Sequence, residues 1–241
     1  YFYVNIQSNN KLTMAKENKE GVRTSIDNLN DSLTGIEQRV QNNQKIILWF
    51  IIGIAAVVVL IFGYIYLIHK PSVEAANNAI GQADIELFNG NDSIAAEKYM
   101  KVADEFGHDA GNRAALSAAI LLYQQKRYED ALNYLRKYDS NEEVIGASAL
   151  SLEGDCYVNL KQYDNALKSF RAAVDASDKN PHYTPFFMMK EATVLRELKD
   201  YKAEAAVYAE IIKEYPTYGD ENRIDLEKYL RRAELAAGET K

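Results

Sequence analysis

Residues Ile46 to Ile68, within KIILWFIIGIAAVVVLIFGYIYLIHK, form a run of 23 residues without a single charge. A helix that is apolar on every side needs a surround that is apolar on every side. At about 1.5 Å of rise per residue the run reaches roughly 35 Å, enough to cross a hydrocarbon core of about 30 Å with some tilt. A secretory signal has an apolar core of only about 7–15 residues and then a small-x-small cleavage site. Here the run ends in YIYLIHKP, whose bulky residues suit no such cleavage. Trp49 near one end and Tyr64 and Tyr66 near the other fit interfacial aromatic belts. The run predicts one uncleaved transmembrane helix over 46–68, a single-pass anchor.

Basic residues set the expected orientation. Arg39 and Lys45 lie within twenty residues before the run and only Lys70 within twenty after it. Lys16, Lys19 and Arg23 extend the upstream bias, whereas the next base after Lys70 is Lys98. The positive-inside rule then keeps the N-terminal tail in the cytoplasm and sends the C-terminal part across. In a bacterium with two membranes this is an inner-membrane protein with a periplasmic C-terminal domain.

The stretch YFYVNIQSNNKLT, residues 1–13, precedes a Met14 that opens MAKENKEG like an ordinary start, so 1–13 are expected to be upstream sequence without structure. In the tail at 14–45, Val22, Ile26, Leu29, Leu33, Ile36 and Val40 recur at spacings of 4, 3, 4, 3 and 4, a heptad seam. Two readings stay open, a coiled coil or partner-docking helix and an isolated amphipathic helix. Five bases and five acids between Met14 and Lys45 favour a protein partner, since a membrane-surface helix is predominantly basic.

Beyond the anchor, four prolines and twelve glycines in 241 residues point to an all-α chain. Three segments repeat, KRYEDALNYL, KQYDNALKSF and KDYKAEAAVY, with Tyr128, Tyr163 and Tyr201 spaced by 35 and 38 residues. An earlier segment, GNDSIAAEKYMKVADEFG, follows the same phase, its Tyr99 and Phe106 matching Tyr208 and Tyr215. The best copy has Gly154-x-x-Tyr157, then Ala166-x-x-x-Phe170 and Ala173. A small residue at Gly154 lets two antiparallel helices approach, with Ala166 opposite, while Tyr157 and Phe170 fill the space against the next pair. Ala83, Ala119 and Ala192 take the glycine slot elsewhere, Leu135 replaces the late aromatic, and Glu204 stands where alanine is usual. Leu150 leads the best unit, and Pro216 closes the last.

This period of about 34 residues in helix–turn–helix units resembles the tetratricopeptide repeat. The resemblance implies an all-α fold, with the anchor followed by an α-solenoid of about four units over 72–218 and a C-terminal capping helix within 219–241. Pro181 and Pro185 predict a longer loop between the third and fourth units. Asp220 is the expected N-cap of the last helix and Gly238 its stop. Leu226, Leu230, Ala233 and Ala237 form one apolar stripe there, under Arg223, Lys228, Arg231 and Arg232. Such a cap covers the last face of a solenoid.

Carrying the family pattern onto this chain puts Asn77, Asp84, Arg113, Ile120, Tyr123, Gln124, Asp155, Asn159, Phe186, Met189 and Arg196 on the concave side. Aromatic and Met side chains mixed with amides and charges suit an extended peptide. The lysine- and asparagine-rich set of chaperone-tail clamps is absent, so a terminal carboxylate is not the indicated ligand.

Nothing in the chain reads as an active site. His69, His108 and His182 share no metal-ligand spacing, and no phosphate loop, Gly-x-Ser-x-Gly or His-Glu-x-x-His occurs. No cofactor or metal is therefore expected, and the chain reads as a binding protein rather than an enzyme. Cys156, the one cysteine, sits in an apolar helix and reads as a buried, inert thiol. A net charge of −7 and a pI near 5.2 argue against nucleic acid as a partner. From Pro71 onward 30 acids face 21 bases, a balance of −9 that favours basic or apolar clients over anionic lipid.

The full arrangement, from about Met14 to the end, resembles the ancillary subunit of the bacterial Sec translocon, the YfgM type; LKQYDNALKSF is a segment of the kind that family shows. That resemblance implies a partner of the translocon and of periplasmic chaperones, meeting exported polypeptides. Two other uses of the same parts stay open. One is a scaffold for envelope assembly or division; the other, with reversed topology, is an import receptor on an organelle's outer membrane.

Overall fold

The computed structural model describes residues 43–139 and 143–238. The tail heptad and residues 1–13 lie outside these. The chain divides into two units, Tyr1–His69 and Lys70–Lys241.

In the first unit, α1 spans Gln44–Tyr64 and no residue of it is buried. A π-helical turn, Ile65–His69, follows. Proline at position 71 lacks an N–H, and the turn lies where that missing donor and the ring disturb the preceding carbonyls. Among the described residues Gln44–Phe88, which contains α1, is the one helical segment long and apolar enough to cross a membrane, and an 18-residue stretch of it has a mean hydropathy of 3.0.

The second unit is a tetratricopeptide-like solenoid. Four hairpins follow one another: α2 (Lys70–Phe88) with α3 (Asp92–Glu105), α4 (His108–Gln124) with α5 (Tyr128–Leu135), α6 (Glu143–Asn159) with α7 (Tyr163–Ala176), and α8 (Tyr183–Glu197) with α9 (Tyr201–Glu214). Each second helix packs on its own first helix and on the next, and the first helices also touch in sequence, α2 to α4 to α6 to α8.

The repeat positions explain this packing. Ala83, Ala119 and Ala192 are fully buried, as is Gly154, and twelve residues later Ala95, Ala131 and Ala166 are buried at 0% exposure. Over these small floors sit Tyr99, Leu135, Phe170 and Tyr208. Gly154 is under direct pressure, since a Cβ there would lie 2.5 Å from Cε1 of Phe170. The ring above Gly154 is thus that of Phe170 from its own hairpin, and Tyr157 is half-buried at the edge. Burying such a ring contributes on the order of 1.5–3 kcal/mol.

All four hairpin turns share one geometry. Seven residues after each small slot, Gly90, Lys126, Lys161 and Lys199 take φ of 77, 62, 58 and 61°. The N–H of each bonds the carbonyl three residues back, and the next N–H bonds the carbonyl five back, as with Lys126 to Tyr123 and Arg127 to Leu122, both at 2.9 Å. This closes the first helix with its last carbonyls satisfied.

Three details differ from expectation. The break before α8 falls at 177–182, and Pro185 lies beyond it, buried as the third residue of α8. The first-turn N–H groups of a helix have no internal acceptor, so proline fits there. The C-terminal segment is two helices, α10 (Tyr218–Asn222) and α11 (Leu226–Ala236), parted by Arg223 at φ 57°. Asp225, not Asp220, caps the last helix, accepting from the Lys228 N–H. Gly238 follows α11 at φ 77°. Helix α11 packs on α9, burying Leu226 and Ala233.

Candidate functional site

The first helices α2, α4, α6 and α8 lie side by side, and residues spaced by about one or two turns share a face on each. On α4 that face carries Arg113, Ile120, Tyr123 and Gln124; on α6 it carries Asp155 and Asn159.

Charged side chains on this face are joined across helices. Asp84 of α2 accepts from the Tyr99 hydroxyl at 2.5 Å and pairs with Arg113 of α4. Asp155 of α6 pairs with Lys190 of α8 at 2.5 Å, and the same ammonium donates to Ser151 Oγ at 3.1 Å. Lys190 also lies over the rings of Phe186 and Phe170, at 5.0 and 5.6 Å. Burial raises the Asp155 carboxyl above its ordinary value, with Lys190 opposing that shift. Between the two ion pairs, Tyr123 has Asn159 as a hydrogen-bond partner; burial, then the Asp155 charge, raises its hydroxyl. Asn159 also donates to the Asp155 carbonyl at 2.8 Å.

The remaining expected residues divide. Ile120 and Phe186 are 40% and 44% exposed, and Phe186 tilts against Phe187 with centroids 5.6 Å apart. Asn77 and Gln124 are exposed amides. Met189 packs, half-buried, against the core shared by α8, α9 and α11. Arg196 is half-buried near Tyr208. The contacts therefore bring together Asp84 with Arg113, Tyr123 with Asn159 and Asp155, and Phe186 with the Lys190 that Asp155 holds. They do not bring Met189 or Arg196 into that chain.

Lys190 and Ser151 were not among the expected residues. Lys190 lies four positions after Phe186, hence on the same side of α8, and that spacing is the signal in the sequence. Leu87 and Phe88, 39% and 92% exposed, were missed as well; they lie three and four residues after Asp84.

Outside this face several polar groups tie helices together. Arg171 pairs with Glu191, and Asp104 takes both Lys137 and the Tyr134 hydroxyl, which burial pushes up to about 12. Cys156 is fully buried, and burial lifts its thiol to about 12, so it is not a nucleophile at neutral pH. Among the described residues no three His, Cys, Asp or Glu side chains converge.

Comparison with known proteins bears on the fold. Residues 187–218 match the tetratricopeptide repeat family TPR_6. A crystal structure of MamA protein superposes with a TM-score of 0.55 at 15% identity, over 69% of this chain and 84% of that one, which shows the fold. A second MamA crystal structure gives 0.47 at 15% identity, over 65% and 94%. The C-terminal part of a TPR repeat-containing protein from Cytophaga hutchinsonii gives 0.35 at 16%, over 66% and 71%. No curated protein matches the sequence.

Proposed function

We propose that this chain is a membrane-tethered protein-interaction module whose row of first helices docks exported polypeptides or partner proteins beside the Sec translocon. The tetratricopeptide-like fold supports the coarse part, since such arrays commonly bind proteins. The observation that carries the tether is α1, with no buried residue and every large apolar side chain from Ile46 to Leu60 exposed. So much apolar surface is stable only in an apolar phase. Confinement beside the exit site raises the effective concentration of the array without any added contact. The periplasmic placement rests on the lysine and arginine bias around the run.

An alkaline-phosphatase fusion after Lys241 is expected to be active, and an inactive fusion contradicts export. Photocrosslinkers at Tyr123 or Phe186 in native membranes are expected to trap translocon subunits or exported chains in transit. Trapping of division or envelope-assembly proteins instead gives the scaffold reading.

A further inference from the structure

The proposed docking face carries two ion pairs. Both cations at its centre are already neutralised by acids of the same face, Arg113 by Asp84 and Lys190 by Asp155. Asp84 is doubly engaged, since it also accepts from the Tyr99 hydroxyl, and the ammonium on Asp155 is further tied to Ser151. A charged group on a ligand gains a partner here by taking it from an existing pair, mostly covered at Lys190–Asp155 and more exposed at Arg113–Asp84, and that exchange yields little. Apolar side chains meet no such obstacle. Phe88, Ile120 and Phe186 stand 92%, 40% and 44% exposed on α2, α4 and α8. Exposed amides at Asn77 and Gln124 offer donors and acceptors for a passing backbone.

Resting on the docking reading above, we infer that this face takes an extended polypeptide segment that is apolar and uncharged, and passes over charged segments and free carboxyl termini. The preference is set inside the face by its two ion pairs. The domain's overall balance of −9 acts the other way, attracting basic ligands at long range. The two effects separate by salt, because long-range attraction is screened and apolar contact is not.

The test uses the detergent-solubilised full chain and three labelled peptides built on one apolar sequence. The first is blocked at both ends, the second has a free C-terminal carboxylate, and the third carries two central lysines. Fluorescence anisotropy is expected to show tightest binding for the blocked peptide, with Kd changing less than about twofold between about 50 and 500 mM salt. Ile120→Asp and, separately, Phe186→Asp are expected to weaken it about tenfold or more with an unchanged melting temperature. If the lysine or carboxylate peptide binds about tenfold tighter and loses that advantage in salt, the inference is wrong and the docking face survives. If none of the three binds, the inference and the docking role fall together.

Discussion

The third and fourth hairpins are built on one plan but end differently. In α6–α7 the floor is Gly154 and Ala166, both buried under Phe170, and the carboxylate at the joint with the next helix comes from α8, where buried Glu191 is held by Arg171 of α7. In α8–α9 the matching floor is Ala192 and Glu204 under Tyr208, and Glu204 is 1% exposed. Its Oε1 is held by Arg232 of α11 at 2.7 Å. Arg232 lies over Tyr229, whose ring stacks on Tyr208 at 5.7 Å. An apolar floor accepts any helix of the right shape, whereas a buried carboxylate accepts only one that brings a cation. Of the four hairpin floors, that of α8–α9 alone carries a charge, and α11 supplies its cation.

Five variants test that contrast, the single changes in order of expected size. Phe170→Ala should cost about 3–5 kcal/mol in urea unfolding, because it empties the space over Gly154. Arg232→Met leaves the Glu204 carboxylate buried and unpaired. The loss should be about 3 kcal/mol, the lower end for broken buried pairs, since the Arg232 side chain is itself 42% exposed. Glu204→Leu added to Arg232→Met should recover most of that loss, and a double variant no better than the single one would refute the pairing. Gly154→Ala should cost about 1–3 kcal/mol by driving a methyl into the Phe170 ring. Combined with Phe170→Leu it recreates the Ala119 and Leu135 of the second hairpin, so the pair should cost less than the two single changes summed.

The smallest effect concerns Asp155. Burial raises its carboxyl in the folded protein, so the fold favours the neutral acid there. Between the ordinary carboxylate value and the raised one the folded state holds more protons than the unfolded, and this group's contribution to stability falls as pH rises through that window. Lys190→Met removes the opposing cation and should steepen the fall. An NMR titration of the Asp155 carboxyl should place it higher in Lys190→Met than in the parent, and a lower value would contradict the assignment.

Much of the array was legible because its determinants are local or periodic. The small slots at Ala83, Ala119, Gly154 and Ala192 and the large side chains sixteen residues on recur in register, and burial of such positions follows from period alone. The left-handed turns at Lys126, Lys161 and Lys199 were not legible, because glycine normally marks that geometry and only Gly90 carries it. Asp220 and Asp225 both precede helical residues, and the choice between them depends on the kink at Arg223. The inner face was half legible. Ile120 and Phe186 are exposed positions of a recognisable repeat, but the pairing of Asp84 with Arg113 and of Asp155 with Lys190 joins residues 29 and 35 apart. Only the packing of neighbouring first helices brings those charges together.

The first-helix row is the proposed working surface. Its most direct test compares Ile120→Asp with Ala206→Asp, an exposed site on α9, in full-length protein purified with crosslinked partners from native membranes. Loss of translocon or exported-chain adducts in Ile120→Asp alone, with both variants folded, is the predicted result. Equal loss in both, or full retention in both, would contradict it.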